Sequence, residues 1–200
     1  SALDPKMFAQ CFAAWMKAIA GSLVGKQLAI DGKTLRGSFD TAEELSPLHI
    51  VHAWVAENAL LLGQLVTEAK RNEITAIPQL VALLDLRGAL VTIDAMGCQT
   101  AIARTIIAGE GDYLLALKDN QPRAHEEVCA YFDRAIGSST VRCVEEVDKG
   151  HGRLEMRRVH VSDDIEWFED KKRWPGLKSF VAIERELGSA RFAAGRYAEA

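Results

Sequence analysis

Two hundred residues with 48% hydrophobic and 26% charged content suffice for one well-buried core, which excludes a disordered or fibrous chain. The net charge of −4 excludes a chain-wide basic footprint for nucleic acid, so only a local patch can serve that purpose. Four dispersed cysteines (Cys11, Cys98, Cys129 and Cys143) lack any C-x-x-C pair, which excludes a disulfide framework and suits a reducing compartment.

Residues 4–20 read as a helix. Asp4 can cap it, Pro5 suits its first turn, and Phe8, Phe12, Trp15 and Ile19 share one face. "QLAID" follows as a short buried strand, then the basic, Gly-containing "GKTLRGS". "LHIVHAWVAE" and "LLLGQLVTEA" are two further strands, separated only by "NA", which predicts a hairpin. A second helix comes next, with Thr75 near its start and Pro78 in its first turn. Leu80, Val81, Leu83 and Leu84 supply its core face and Gly88 its stop. "ALVTID" is a fourth strand, "QTAIARTIIAG" a helix, "YLLALK" a fifth strand and "HEEVCAYFDRAIG" a further helix. Three strands in a row, then strands alternating with helices, predict a mixed sheet with helices on its faces. This is the order of ribonuclease-H-like domains.

Residues 138–200 change character. "CVEEVDKGHGRLEMRRVHVSDD" reads as a polar hairpin around "GHG", and "SFVAIERE" as a last strand. The expected organisation is a leading helix (1–22), a ribonuclease-H-like α/β core with a mixed five-stranded sheet (23–137), a β-rich extension (138–187) and a frayed tail (188–200). No apolar run reaches the roughly 18 residues of a membrane-spanning helix. The first residues also lack the plan of a signal peptide. A cytoplasmic protein with no membrane partner is expected.

Two aspartates stand where strands should leave the core: Asp31 in "QLAIDGKTLRGS" and Asp94 in "LVTIDAMGCQ". A buried charge needs partners, solvent or a metal. If the first and fourth strands are parallel neighbours, both carboxylates emerge at one sheet edge and repel unless a divalent cation lies between them. Magnesium and manganese prefer oxygen ligands. A pair of such ions about 3.5–4 Å apart can activate an attacking oxygen and stabilise a departing one at phosphorus. Each aspartate alone has a plainer role, capping the turn after its strand.

"IDGKTLRGS", "KRNEITAIPQL", "VTIDAMGCQ", "DYLLALKDNQ" and "GHGRLEMRR" resemble, in this order across roughly residues 24–187, the H-repeat-associated group of insertion-sequence DDE transposases. The resemblance implies a ribonuclease-H-like fold and a metal-dependent enzyme that cuts and joins DNA strands in transposition. Water attacks phosphorus first, then a DNA 3′-hydroxyl. Mg2+ (or Mn2+) would be held by two aspartates, matching Asp31 and Asp94, and one glutamate. It also implies DNA at transposon ends as partner, and a homodimer, because paired ends need paired subunits.

The family's glutamate lies in a helix resembling H-W-x-I-E-N, after a strand resembling Y-Y-I-S-S-L. The chain instead runs from "VAIERE" into an Ala-rich tail. The expectation is a truncated, catalytically incomplete transposase. The alternatives are a DNA- or partner-binding remnant, or a ribonuclease-H-like nuclease completed by Glu73 at the start of the second helix. Glu155 lies 61 residues beyond Asp94, but in a hairpin among arginines, where a solvated face is the plainer reading.

Lys33 and Arg36, close after Asp31, and Lys118, Asn120 and Gln121, after the fifth strand, are candidate phosphate contacts, which position DNA without reading bases. Lys149, His151, Arg153, Arg157 and Arg158 form a denser basic cluster, nearly neutralised by Glu145, Glu146, Asp148 and Glu155. His49 and His52 alternate with apolar residues and read as strand residues rather than ligands. Trp15 and Trp54 read as core aromatics. Trp167 and Trp174 read as packing under a loop, with base stacking as the alternative.

Overall fold

The computed structural model describes residues 4–34, 49–57, 59–67, 73–150 and 153–188. It forms two compact units, Ser1–Leu115 and Ala116–Ala200. The first unit contains α1 (Pro5–Ala20), β1 (Gln27–Thr34), β2 (His49–Val55), β3 (Leu60–Thr67), α2 (Glu73–Ala82), β4 (Leu90–Ile93), α3 (Thr100–Ala108) and β5 (Asp112–Leu115). Its sheet has the order β3-β2-β1-β4-β5. The β1–β2 and β2–β3 pairs are antiparallel, whereas β1–β4 and β4–β5 are parallel. Connection length explains the change of direction. A turn of a few residues can only reverse the chain, as between β2 and β3, while a helix carries it back to add a parallel strand. The result is a mixed α/β sheet with flanking helices that fits the ribonuclease-H-like fold.

Strand alternation sorts the residues onto two faces. Leu28 and Ile30 of β1, Val51, Ala53 and Val55 of β2, and Val91 and Ile93 of β4 point into one core. Met16 and Ala20 of α1, Ala76, Ile77, Leu80 and Val81 of α2, and Ile102 and Ile106 of α3 meet them there. Each fully buried Leu, Ile or Val contributes about 1.5–3 kcal/mol of transfer free energy. The opposite face carries Leu61, Trp54, Ala29, Thr92 and Leu114 in one row across the sheet, and Gln64, His52 and Asp31 in the next.

Three apolar residues expected in the core lie outside it. Trp54 is 41% exposed because Ala53 and Val55, its neighbours on β2, take the inward positions. Trp15 is 62% exposed because Met16, about 100° further round α1, faces the sheet instead. Leu83 is exposed because α2 ends at Ala82; of the pair that follows, Leu84 packs against the core.

A 3-10 turn, Ala95–Gly97, follows β4. The Gly97 N–H donates to the Asp94 carbonyl at 3.0 Å, and a Cβ built on Gly97 would stand 2.2 Å from Ile93 Cγ2. That close approach explains the glycine of "AMGCQ".

The second unit contains α4 (Pro122–Ala135) and an antiparallel sheet of β6 (Arg142–Gly150), β7 (Arg153–Ser162) and β8 (Phe180–Gly188), in the order β6-β7-β8. Pro122 opens α4, where its missing N–H costs nothing. Ala124, Val128, Tyr131 and Phe132 are its buried residues, and the Tyr131 and Ser162 hydroxyls hydrogen-bond at 2.7 Å. Trp167 stacks on Tyr131 with ring centroids 4.3 Å apart, and its indole N–H donates to the Asp164 carbonyl. Trp174 is buried. Both tryptophans therefore pack under the loop. Ion pairs cross the sheet: Arg158 reaches Glu145 and Glu186, while Arg157 and Arg185 each lie 2.6 Å from Glu155.

Replacing Gly97 by Ala should cost about 1–3 kcal/mol by overpacking, because Ile93 belongs to a close-packed core and has little room to yield. A lowered melting temperature by circular dichroism checks this; an unchanged one contradicts the close approach.

The hydrogen bond from Arg185, and then that from Arg157, hold the Glu155 carboxyl below its ordinary range. A depressed folded-state value adds stability that is present above the unfolded value of 4.5 and lost as the pH falls through the folded one. Denaturant titrations below pH 4.5, followed by tryptophan fluorescence, should show a steeper loss in the wild type than in Glu155→Gln.

Candidate active site

The parallel register of β1 and β4 pairs Gln27 with Leu90, Leu28 with Val91, Ala29 with Thr92 and Ile30 with Ile93. One step further along each chain stand Asp31 and Asp94. The two aspartates therefore stand side by side, but by different means: Asp94 follows the last residue of β4, whereas β1 runs on to Thr34 and keeps Asp31 inside the strand rather than at the strand end expected from the sequence. Ile30 and Ile93 point into the core, so alternation turns Asp31 onto the opposite face of the sheet. Both aspartates are exposed.

Each has a local contact. Asp94 caps the 3-10 turn, its Oδ1 accepting from the Met96 N–H at 3.2 Å. The capping role expected of a strand-end aspartate is therefore real, and it engages Oδ1. Asp31 Oδ2 lies 3.9 Å from Lys33 Nζ, two residues along the same face of β1. Two exposed ions at that distance contribute little stability, so Lys33 is available to a phosphate. His52 stands opposite Asp31 on β2. Its pKa is lowered by burial first and then by the Lys33 ammonium, with Asp31 opposing, so the imidazole is neutral at neutral pH.

Two other polar groups near this edge do different work. Burial pushes the Cys98 thiol of "MGCQ" up to about 11, which leaves it protonated and a poor nucleophile. Burial, then Cys98, pushes the Tyr113 hydroxyl up to about 12.

The remaining sequence candidates fall as follows. Arg36 and His151 lie outside the described residues. Glu73 is the first residue of α2. Lys118, Asn120 and Gln121 belong to the second unit, where Lys118 and Asn120 are exposed and Gln121 precedes α4 as its N-cap residue. Glu155 is committed to Arg157 and Arg185 on the second unit's sheet, and Arg158 to Glu145 and Glu186. His49 begins β2. The candidate missed by the sequence reading is His52. Its signal was the alternation of "HIVHAWV" against "QLAIDGKT", which becomes informative only once the register is known.

Among the described residues, no three His, Cys, Asp or Glu side chains gather closely enough to hold a metal ion. Asp31 and Asp94 nonetheless fit magnesium or manganese by donor chemistry, as two hard carboxylates that leave most of the coordination shell to water. No described helix is long and apolar enough to cross a membrane.

A family model described as "Transposase DDE domain" matches residues 24–194. Among curated proteins, the chain is 50% identical over 168 residues to "Putative transposase YncI" of Escherichia coli (strain K12), covering 82% of this chain and 66% of that protein. It is 38% identical to "H repeat-associated putative transposase YhhI" of the same organism, covering 92% of this chain and 49% of that protein. It is 45% identical to an uncharacterized protein of the dhlA 3′ region in Xanthobacter autotrophicus, covering 94% and 64%. The chain thus spans about half to two-thirds of the length of these relatives. A model match over most of the chain, with relatives at this level of identity, shows that the chain belongs to the transposase DDE domain family.

Proposed function

We propose that this chain is part of a DDE transposase acting on DNA, and that Asp31 and Asp94 are two of the acidic ligands of its catalytic metal. The observation that carries the proposal is the β1–β4 register, which sets Asp31, inside β1, beside Asp94 at the end of β4. Bound there, Mg2+ or Mn2+ would activate an attacking oxygen and stabilise the departing one during DNA strand cleavage and transfer. The protein's part is to hold and orient. Asp31 projects from the sheet face, Asp94 is fixed by its own turn, and Lys33 neutralises a phosphate beside them. Arg36, Lys118, Asn120 and Gln121 are proposed as further phosphate contacts, on their place in the family's motifs. Among the described residues no third acidic ligand stands with the two aspartates, so the described residues are expected to bind the ion without cutting DNA. Two DNA ends held together call for two such chains, and a homodimer is part of the proposal.

Manganese titration, followed by the electron paramagnetic resonance of the free ion, tests the ligand assignment. The wild type should bind Mn2+, and Asp31→Asn and Asp94→Asn should each bind more than about tenfold more weakly, at least the loss typical of removing an outer partner. Glu155→Gln should bind like the wild type. Equal binding by the wild type and both aspartate variants would sink the assignment. Nicking of supercoiled DNA by the wild-type chain with Mn2+ would refute the incompleteness.

A further inference from the structure

Asp31 projects from the middle of a strand, and β1 alone fixes its backbone but not its carboxylate. Directly opposite it across the β1–β2 ladder is His52, whose other neighbour, on β3, is Gln64. Opposed residues of an antiparallel pair share a face, with Cβ atoms about 5 Å apart. His52 and Asp31 therefore share the row that ends beside Asp94. Ile50 and Trp54 lie on the same face two positions either side of His52 on β2, and His52 is half-buried. An imidazole has at least one N–H to donate in either protonation state. Asp31 itself has four lone-pair sites and needs only some of them for an ion.

We propose that His52 is the positioning residue of the site: its imidazole N–H donates to one oxygen of Asp31 and turns the other toward the divalent ion. This inference rests on the proposed function and deepens it. His52 acts through Asp31 rather than on the ion, because it forms no three-ligand group with the two aspartates. Lys33 is a weaker holder of the carboxylate, its side chain being 66% exposed and its ammonium 3.9 Å away on a flexible stem. The sheet, by contrast, holds His52 rigidly across from Asp31. Outer partners of this kind typically set ion affinity by about 10–100-fold.

The test compares Mn2+ affinity in the wild type, Asp31→Asn, His52→Leu, His52→Asn and His52→Gln. His52→Leu keeps a half-buried side chain but offers no donor, and should weaken binding about tenfold. One of the two amide variants places an N–H where Nδ1 or Nε2 stands, and should recover most of that loss. The metal-free chain gives a second readout. Ring ¹⁵N shifts should show one fixed tautomer of His52 in the wild type and a mixture in Asp31→Asn. Unchanged binding in His52→Leu, equal loss in all three His52 variants, or a tautomer indifferent to Asp31→Asn would each overturn the inference. If the wild type binds no Mn2+, or Asp31→Asn binds equally well, the metal site itself fails and His52's role falls with it. If Asp31→Asn loses the ion while His52→Leu keeps it, only the role of His52 fails.

Discussion

The parallel pairing of β1 with β4 is the constraint on which the rest of this molecule depends. β1 belongs to an antiparallel run of three strands, whereas β4 is reached only after a helix, so the pair joins two halves of the sheet built by different connections. Parallel direction brings both carboxyl ends to one edge. In-register pairing then decides that Asp31 and Asp94, rather than any other two residues, become neighbours. A slip of one residue would turn Asp31 into the core and Ile30 out of it, an exchange that burial of Leu28, Ile30, Val91 and Ile93 forbids.

That same burial explains why the sheet can carry charge at its centre. α1, α2 and α3 contribute to a single core on one face, and the opposite face displays polar residues. Asp31, Lys33, His52 and Gln64 all use it. Asp94 reaches solvent differently, by ending its strand and turning at once, and the turn closes only because Gly97 lets the backbone pass against Ile93. The two aspartates thus arrive at one place by separate local means. The site is prepared mainly by apolar packing beneath it.

Much of the element order was legible in the sequence, because helix and strand periodicities are local signals and the punctuation by Gly, Pro and short turns is strong. The tightness of the β2–β3 turn was enough to make that pair an antiparallel hairpin, whereas the parallel pairing of the first and fourth strands stood in the sequence only as a condition. What misled were residues whose hydrophobicity points one way and whose register points another. Trp15 and Trp54 are large and apolar, yet each adjoins a smaller residue that holds the inward position, so size was a poor guide to burial. Trp167 was legible for the opposite reason: a tryptophan in a polar loop finds its cover on the element beneath the loop, here on Tyr131 of α4.

By itself the sequence determined the strand-end Asp94 with its turn-forming successors, the alternation that keeps Asp31 out of the core, and the motifs that the transposase DDE domain family shares. These are properties of short stretches, set by torsional preference, periodicity and local hydrogen bonding. Only the tertiary structure decided that the aspartates, 63 residues apart, are adjacent, that His52 faces Asp31, and that Glu155 is spoken for by Arg157 and Arg185. The physical reason is the same in each case. Pairing between strands distant in sequence is set by how whole faces bury against a common core, and no local stretch carries that information.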